Sequence, residues 1–153
     1  MANTYTQFHI HAIFGAQNRM SLIASQWQSE LYKYISGIIS NKNHKVLAIN
    51  GTGDHIHVLF GMQPVQTLSE LMQEIKSHSS KWINEKKLVK GRFSWQEGFG
   101  AFSYGKGQLP DVIKYIDEQE AHHEQRSFSQ EYRAFLVKFG VDFKEVYLFH
   151  DVE

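Results

Sequence analysis

The segment VLAINGTGDHIHVLFGM, residues 46–62, contains two apolar runs separated by a short polar turn. Glycine and aspartate in that turn are the residue types that favour a tight reversal of the chain. Residues 46–49 and 55–62 are therefore predicted to be strands that pair as an antiparallel hairpin. The elements before and after this hairpin can be placed relative to it.

Side chains of the second strand of the hairpin fall into two alternating sets. Ile56, Val58 and Phe60 share one face and are predicted to enter the core. His55 and His57 lie side by side on the opposite face, away from that core, where two imidazoles can converge on one divalent metal ion. The same spacing also occurs on half-exposed strands without a ligand, so spacing alone leaves both interpretations open.

A second pair with the same spacing, His9 and His11, lies in the first predicted strand, residues 5–16. If the first and third strands are neighbours in the sheet, either of these histidines could lie near the other pair. Nothing local decides between the pairs, although a sheet histidine without a metal is the plainer interpretation of His9 and His11.

Helical and extended patterns lie on both sides of the hairpin. A first helix is predicted from Ser21 to the turn at 41–43, with one apolar face made of Ile23, Trp27, Leu31, Tyr34, Ile35 and Ile38. Four further elements are predicted after the hairpin: a helix opened by the capping pattern Thr67–Glu70, a strand at 95–104, and helices at 110–124 and 129–139.

The order strand, helix, strand, strand, helix, strand predicts an α+β protein with a ferredoxin-like (RRM-like) antiparallel sheet. Two helices should cover one face of the sheet, and a C-terminal helix should follow. The other face should be free for nucleic acid or for a partner. No repeat or linker interrupts the chain, so residues 1–153 are expected to form one domain.

Composition narrows the class of protein. The chain has no cysteine, which excludes a disulfide framework and a thiolate metal site. It has neither a signal-peptide pattern nor a run of about 20 apolar residues, so we expect a cytoplasmic protein without a membrane partner. The formal net charge is zero, which argues against nucleic-acid binding through bulk charge, but a basic section at 76–92 leaves room for a local groove.

Tyr115 and Gln119 lie four residues apart in the helix predicted at 110–124. They should therefore share a face, one turn apart, beside an apolar stripe. From spacing alone, the plain interpretation of Tyr115 is an aromatic residue at the edge of the core.

Five segments, taken in order, carry a family resemblance. They are Asn18-Arg19, Gly53–Leu59 (GDHIHVL), Glu74–Ile83 (EIKSHSSKWI), Trp95–Ser103 (WQEGFGAFS) and Tyr115–His123 (YIDEQEAHH). The chain resembles the single-tyrosine (His-hydrophobic-His) transposases that move insertion sequences as single-stranded DNA, and the related REP-associated tyrosine transposases. The resemblance extends over nearly the whole chain, and the order and spacing of the segments make it specific.

The resemblance implies a set of site residues. His55 and His57, around Ile56, would be metal ligands in preference to the pair in the first strand. Tyr115 would be the nucleophile and Gln119 a third protein ligand. Two imidazoles, an amide oxygen and phosphate oxygens suit Mg²⁺ or Mn²⁺. Tyr115 would cleave the DNA strand and stay joined to its 5′ end as a 5′-phosphotyrosine. A 3′ hydroxyl would later attack this link and rejoin the strand.

The resemblance also implies partners. The substrate would be single-stranded DNA at hairpin-containing element ends. Apart from the resemblance, the positive charges of Arg19, Lys76 and Lys81 make them candidates for contacts with the DNA backbone, and a solvated helix surface is an equally plain interpretation. A homodimer is expected, because enzymes of this type are dimers, and their active sites can combine the histidine pair of one chain with the tyrosine helix of the other. Phe99 stands where a tyrosine is usual, and Gly105–Gly107 replaces a serine-rich turn and could let the tyrosine helix reach across.

Two alternatives stay open. A non-catalytic module could bind single-stranded nucleic acid on an open sheet face and would not need Tyr115. A metal-dependent nuclease could use water as its nucleophile and would form no protein–DNA adduct.

Overall fold

The computed structural model describes residues 3–18 and 22–151. Within these residues the chain forms one four-stranded antiparallel sheet, whose strands lie in the order β2-β3-β1-β4. The strands are β1 (Phe8–Gly15), β2 (Lys45–Gly51), β3 (His55–Met62) and β4 (Gly100–Ser103). The predicted α+β class and ferredoxin-like strand order are confirmed.

Five α-helices accompany the sheet in the described residues: α1 (Ser25–Ser40), α2 (Leu68–Glu85), α3 (Leu109–Asp117), α4 (Gln119–Gln125) and α5 (Phe128–Lys138). The start predicted for α1 at Ser21 falls outside the described residues, and the helix begins at Ser25. The predicted cap of α2 is present, because the Thr67 hydroxyl accepts a hydrogen bond from the Glu70 amide at 3.1 Å. None of the described helices is long and apolar enough to cross a bilayer.

The β2–β3 hairpin forms as the sequence predicts. Its strands pair from Lys45 opposite Gly61 to Gly51 opposite Ile56. Gly51 is required by a close backbone approach, since a Cβ at this position would lie 2.1 Å from the His55 carbonyl oxygen. The tight turn therefore depends on a residue without a side chain.

One face of the sheet carries the main apolar core. Ile56, Val58 and Phe60 are fully buried there, as their alternation in β3 predicts. The helices α1 and α2 supply the opposing layer, with buried residues including Leu31, Ile35, Leu71 and Ile75. This layer fixes the position of β3, and so of the side chains on its other face.

The opposite face of the sheet is covered, so the expectation of a free face is wrong. Leu59 of β3 and Ala48 of β2 pack against Val112 and Ile116 of α3 in a second apolar cluster. The buried aromatic side chains of α5 cover the sheet beside it. The physical reason is that the apolar stripes of α3 and α5 need a surface to bury, and this sheet face is the available one.

The strand predicted at 95–104 is shorter in the structure. Only Gly100–Ser103 pairs as β4, and Trp95 makes an isolated bridge to Ala16. Gly98 interrupts the strand with a φ of +82°, a conformation that favours glycine. The Lys76 ammonium stabilises this interruption by donating to the carbonyl oxygens of Gln96 and Gly98 at 2.6 and 2.7 Å.

The docking of α5 depends on Gly15 at the end of β1. A Cβ at this position would lie 2.4 Å from Cε2 of Phe128, a ring that is fully buried. The same ring stacks on the His55 imidazole, with the centroids 4.2 Å apart and the planes 8° from parallel. An added methyl group would therefore push α5 away from the sheet.

We predict that Gly15→Ala lowers the free energy of unfolding by about 1–3 kcal/mol, the usual cost of overpacking a buried site. The control is Gly37→Ala on the exposed side of α1, where a Cβ meets nothing within 4 Å. This control should be neutral or stabilising by up to about 1 kcal/mol, because glycine is a poor helix former. Urea unfolding of both variants measures the difference, and equal stabilities would contradict the proposed packing constraint.

Candidate active site

The strand β3 places His55 and His57 on the sheet face that α3, α4 and α5 cover. Their exposed fractions are 1% and 0%, so both imidazoles lie in an interior and not on an open surface. The prediction that they share a face, opposite Ile56, agrees with the structure. Polar side chains at this depth must find partners within the protein.

The inner nitrogen of each imidazole has a partner that fixes the ring. His55 Nδ1 lies 2.6 Å from Asp54 Oδ1, and the Thr52 hydroxyl donates to that same carboxylate oxygen at 2.8 Å. His57 Nδ1 lies 2.7 Å from His11 Nε2. With both Nδ1 atoms occupied in this way, the two Nε2 atoms are directed into the space beneath α4 and α5. Such partners orient the histidines of many metal sites.

His11 therefore has a place in the site, although as a partner of His57 and not beside the Nε2 atoms. It is fully buried and surrounded by the rings of Phe102, Tyr104 and Phe135. Burial, together with the neighbouring His57, lowers the pKa of His11 well below its ordinary value. The imidazole is thus neutral, with one nitrogen that donates and one that accepts a hydrogen bond.

Both Nε2 atoms face the carboxylate of Glu131 from α5. Its Oε1 lies 2.9 Å from His57 Nε2 and 3.2 Å from His55 Nε2. Glu131 is 3% exposed and was not identified from the sequence. A signal was available, because this charged residue lies in the apolar stripe of α5, between Phe128 and Tyr132.

Gln119 joins the same cluster. Its Oε1 lies 3.0 Å from His55 Nε2, and its Nε2 donates to Glu131 Oε2 at 3.2 Å. The single helix predicted at 110–124 is wrong, since α3 ends at Asp117 and α4 begins at Gln119. Glu118 leaves the helical region, with φ −100° and ψ 24°. This break turns the fully buried Gln119 toward the histidines.

Tyr115 lies at the edge of the cluster. Its hydroxyl donates a hydrogen bond to Glu131 Oε2, and Arg126 Nη2 approaches the hydroxyl to 3.4 Å. The Tyr115 ring stacks on His122, with the centroids 4.3 Å apart. Burial and the hydrogen bond to Glu131 raise the pKa of Tyr115 above its ordinary value, so the phenol is protonated at neutral pH.

A cavity of about 360 Å³ opens beside Tyr115. Arg126 and Lys138 contribute positive charge to its lining against one carboxylate, that of Asp111, and Tyr104, Val112 and Phe135 contribute apolar and aromatic surface. Cationic and aromatic groups together suit a ligand that carries phosphates and flat rings. The half-buried tyrosine can therefore be reached from this side.

The cluster combines opposite charges. Burial opposes charging of His55, but its hydrogen bonds to Asp54 and Glu131 raise the pKa of His55 to about 9. Burial also opposes ionisation of Glu131, yet hydrogen bonds from His55 and His57 keep the pKa of this carboxyl far below its ordinary value. Burial lowers the pKa of His57, which is neutral. A cationic imidazole thus lies between two carboxylates.

Two groups of side chains among the described residues have ligand atoms close enough to hold one metal ion. His55, His57 and Glu131 form the first group, and all three are buried. Asp54, His55 and His123 form the second, in which His123 is exposed and Asp54 already pairs with His55 Nδ1. The first group has its Nε2 atoms directed inward and is the better metal site. His9, an alternative candidate from the sequence, belongs to neither group.

Of the three residues predicted to contact DNA, the two that the structure describes do not belong to this cluster. Arg19 lies outside the described residues. The Lys76 ammonium group donates hydrogen bonds to two loop carbonyls, and partial burial lowers the pKa of its amine. Lys81 is 74% exposed on α2 and lies 3.9 Å from Glu85. Their contacts with DNA stay predictions.

Comparison with known proteins identifies a family and individual proteins that this chain resembles. Residues 4–119 match the family described as IS200-like transposases. The transposases for insertion sequence element IS200 of Salmonella typhimurium and Salmonella typhi are each 25% identical over 134 residues, which cover 83% of this chain and 88% of each relative.

Two solved structures share the fold. One, a protein from Deinococcus radiodurans described as a transposase, has a TM-score of 0.61 at 15% identity and aligns over 78% of this chain and 95% of its own. The other is a REP-associated tyrosine transposase bound to a REP hairpin. Its TM-score is 0.60 at 16% identity, over 100% of this chain and 92% of its own. At these identities the likeness concerns the fold.

Asn50 of β2 connects the sheet to the end of the tyrosine helix. Its side-chain amide donates to the carbonyl oxygens of Ile116 and Asp117 at 2.9 and 3.1 Å. These carbonyls lie at the C-terminal end of α3, where the regular hydrogen bonding of the helix stops. The two bonds hold the helix end from which Tyr115 and Gln119 are placed.

We predict that Asn50→Ala lowers the free energy of unfolding by about 1–2 kcal/mol, as one part-buried and one exposed hydrogen bond are lost. Amide exchange should rise in α3 and at Gln119, and stay unchanged in α2. Gln26→Ala on the exposed side of α1 serves as the matched control and should unfold like the wild type. Unchanged stability and exchange in the Asn50 variant would show that these bonds do not hold the helix.

Proposed function

Because the chain belongs to the IS200-like transposase family, we propose that it cleaves and rejoins single-stranded DNA through a phosphotyrosine at Tyr115. Members of this family are DNA strand-transferring enzymes. The observation that carries the proposal is the convergence of one tyrosine hydroxyl, two imidazoles and one amide in a single buried cluster. These belong to Tyr115, His55, His57 and Gln119.

The proposed reaction conserves the energy of the phosphodiester bond. Tyr115 Oη gives up its proton and attacks a phosphorus atom, and a new O–P bond joins the 5′ phosphate to the tyrosine. The bond to the 3′ oxygen breaks, and this oxygen takes up a proton and leaves as a 3′ hydroxyl. A 3′ hydroxyl later attacks the phosphotyrosine, and the phenol leaves as the strands are rejoined. No nucleotide cofactor is needed for this exchange, and the sequence contains no phosphate-binding Gly-Lys-Ser/Thr loop.

The site residues fit a divalent cation. His55 and His57 direct Nε2 atoms to one point, and the side-chain oxygen of Gln119 lies beside them. We propose Mg²⁺ or Mn²⁺, which accept imidazole together with oxygen ligands and leave positions open for phosphate oxygens. Such an ion would polarise the scissile phosphate and offset the charge that develops in the transition state.

The chain itself positions the nucleophile. The Glu131 carboxylate accepts the hydrogen bond of the Tyr115 hydroxyl and so fixes the direction of its oxygen. Arg126, 3.4 Å from that oxygen, is placed to contact a phosphate that approaches it. The cavity beside Tyr115 gives the strand a route to the hydroxyl.

Single-stranded DNA with a hairpin is the proposed substrate class. Support comes from the structural relative that is bound to a REP hairpin. Lys81, exposed on α2, and Arg19 remain candidates for contacts with the phosphate backbone. Lys76 would first have to release the loop carbonyls that it holds.

We predict that Tyr115→Phe abolishes the covalent protein–DNA adduct and leaves single-stranded DNA binding within about threefold of the wild type. The substitution removes the attacking oxygen and keeps the ring that stacks on His122. The measurement is a denaturing gel after incubation with Mn²⁺ and labelled single-stranded DNA from sequences that flank the gene. DNA binding is followed by fluorescence anisotropy.

Tyr147→Phe is the control for this experiment, because Tyr147 is 78% exposed on the C-terminal segment. It should form the adduct at the wild-type level. Cleavage by the Tyr115 variant without an adduct would identify the protein as a nuclease that uses water. Binding without cleavage in the wild type would favour a non-catalytic module.

We propose a homodimer, because β2 and β4 lie at the edges of the sheet and sheet edges offer unpaired backbone groups. The sharing of active sites between two chains stays a prediction. The distances favour the alternative, since one chain alone brings Tyr115 to Glu131, and Glu131 to both histidines. The 3-10 turn at Lys106–Gln108 leads directly into α3 within the same chain.

Mixing two inactive variants discriminates between these arrangements. For a site built within one chain, we predict that His57→Asn protein mixed with Tyr115→Phe protein gives no more adduct than either protein alone. Differently tagged subunits establish by pull-down that mixed dimers have formed. Recovery of adduct toward a quarter to a half of the wild-type level would instead demonstrate sites shared between chains.

A further inference from the structure

Glu131 lies twelve residues beyond the end of the segment that matches the family, on a helix that this segment does not include. Its side chain is 4% exposed and contacts four site residues: His55, His57, Tyr115 and Gln119. We propose that Glu131 is a ligand of the divalent metal ion, alongside the two histidines and Gln119. This inference rests on the proposed function, and it adds an anionic ligand supplied by α5.

The spacing of the donor atoms fits one octahedral ion. Neighbouring ligands with metal bonds of about 2.1 Å lie about 3.0 Å apart. Glu131 Oε1 lies 2.9 Å from His57 Nε2 and 3.2 Å from His55 Nε2, and His55 Nε2 lies 3.0 Å from Gln119 Oε1. The atoms of His55, His57 and Glu131 all lie within 4.8 Å of one another.

The hydrogen-bond partners of the two imidazoles favour Glu131 as a metal ligand over Glu131 as an ordinary buried carboxylate. Asp54 and His11 already occupy the Nδ1 atoms of His55 and His57, so both rings present Nε2 to the same oxygen of Glu131. A carboxylate at this depth requires a cationic partner. In the metal-free protein the His55 imidazole is that partner. A divalent ion bound at the two Nε2 atoms, with both imidazoles neutral, would take over this role.

A ligand on α5 changes what the metal site does for the fold. His55 and His57 belong to β3, Gln119 to α4 and Glu131 to α5. An ion held by all four would tie these elements together and clamp α5 over the sheet. The second oxygen of Glu131 accepts the Tyr115 hydroxyl, so the same carboxylate would connect the metal ion to the nucleophile.

Metal binding to the purified protein tests the ligand directly. Calorimetric titration with Mn²⁺ should show an affinity at least tenfold lower for Glu131→Gln, and a larger loss for Glu131→Leu, which offers no ligand atom. Glu30→Gln, exposed on α1, is the matched control and should bind like the wild type. Near-UV circular dichroism of each metal-free variant establishes that it is folded.

A His57→Asn variant separates this inference from the proposed function. If His57→Asn loses Mn²⁺ affinity while both folded Glu131 variants bind like the wild type, the metal site stands and Glu131 is not a ligand. If His57→Asn also binds like the wild type, the metal site of the proposed function is itself wrong.

Wild-type protein gives a test that needs no variant. Crystals soaked in Mn²⁺ should show an anomalous peak with a Glu131 oxygen within about 2.5 Å, alongside the two Nε2 atoms. A Glu131 carboxylate more than about 3.5 Å from an ion bound to His55 and His57 would overturn the inference. Amide exchange in α5 should also slow by at least tenfold when Mn²⁺ is added, because the ion would clamp this helix.

Discussion

The structure depends on a buried carboxylate that has to satisfy four polar neighbours at once. Two imidazoles, an amide and a phenol converge on Glu131 where water has little access. Leaving any of these groups without a partner would cost about 1–3 kcal/mol. The cluster is therefore ordered as a unit, and each of its side chains holds the next in one orientation. Preorganised groups of this kind are what phosphoryl transfer requires.

The two faces of the sheet make this arrangement possible. One face buries an apolar layer against α1 and α2, which gives β3 a fixed position without help from the site. The other face can then hold polar side chains, because Val112 and Ile116 of α3 and the aromatic residues of α5 seal it from solvent. The contact between β1 and α5 also requires a small residue, since Gly15 leaves the space that the Phe128 ring occupies.

Structural features formed by residues close together in the sequence could be predicted. The hairpin followed from two apolar runs and a glycine turn, and alternation placed His55 and His57 on one face. Strand order and family followed from the succession of elements and motifs. The extent of β4 and the break at Glu118 were missed, because side chains far along the chain, such as Lys76 and Asn50, hold the backbone there.

The sequence by itself determined the residue types of the chemistry and the periodic patterns that form the sheet, since both are local properties of the chain. Only the tertiary structure decided that the second sheet face is closed. It also decided that His11 holds His57, and that Glu131 joins residues 74 and 76 positions before it. Contacts over such separations leave no periodic signal, because they depend on how whole helices pack on the sheet. Glu131, a charged residue in the apolar stripe of α5, was not identified from the sequence, and only the packed fold shows which partners it has.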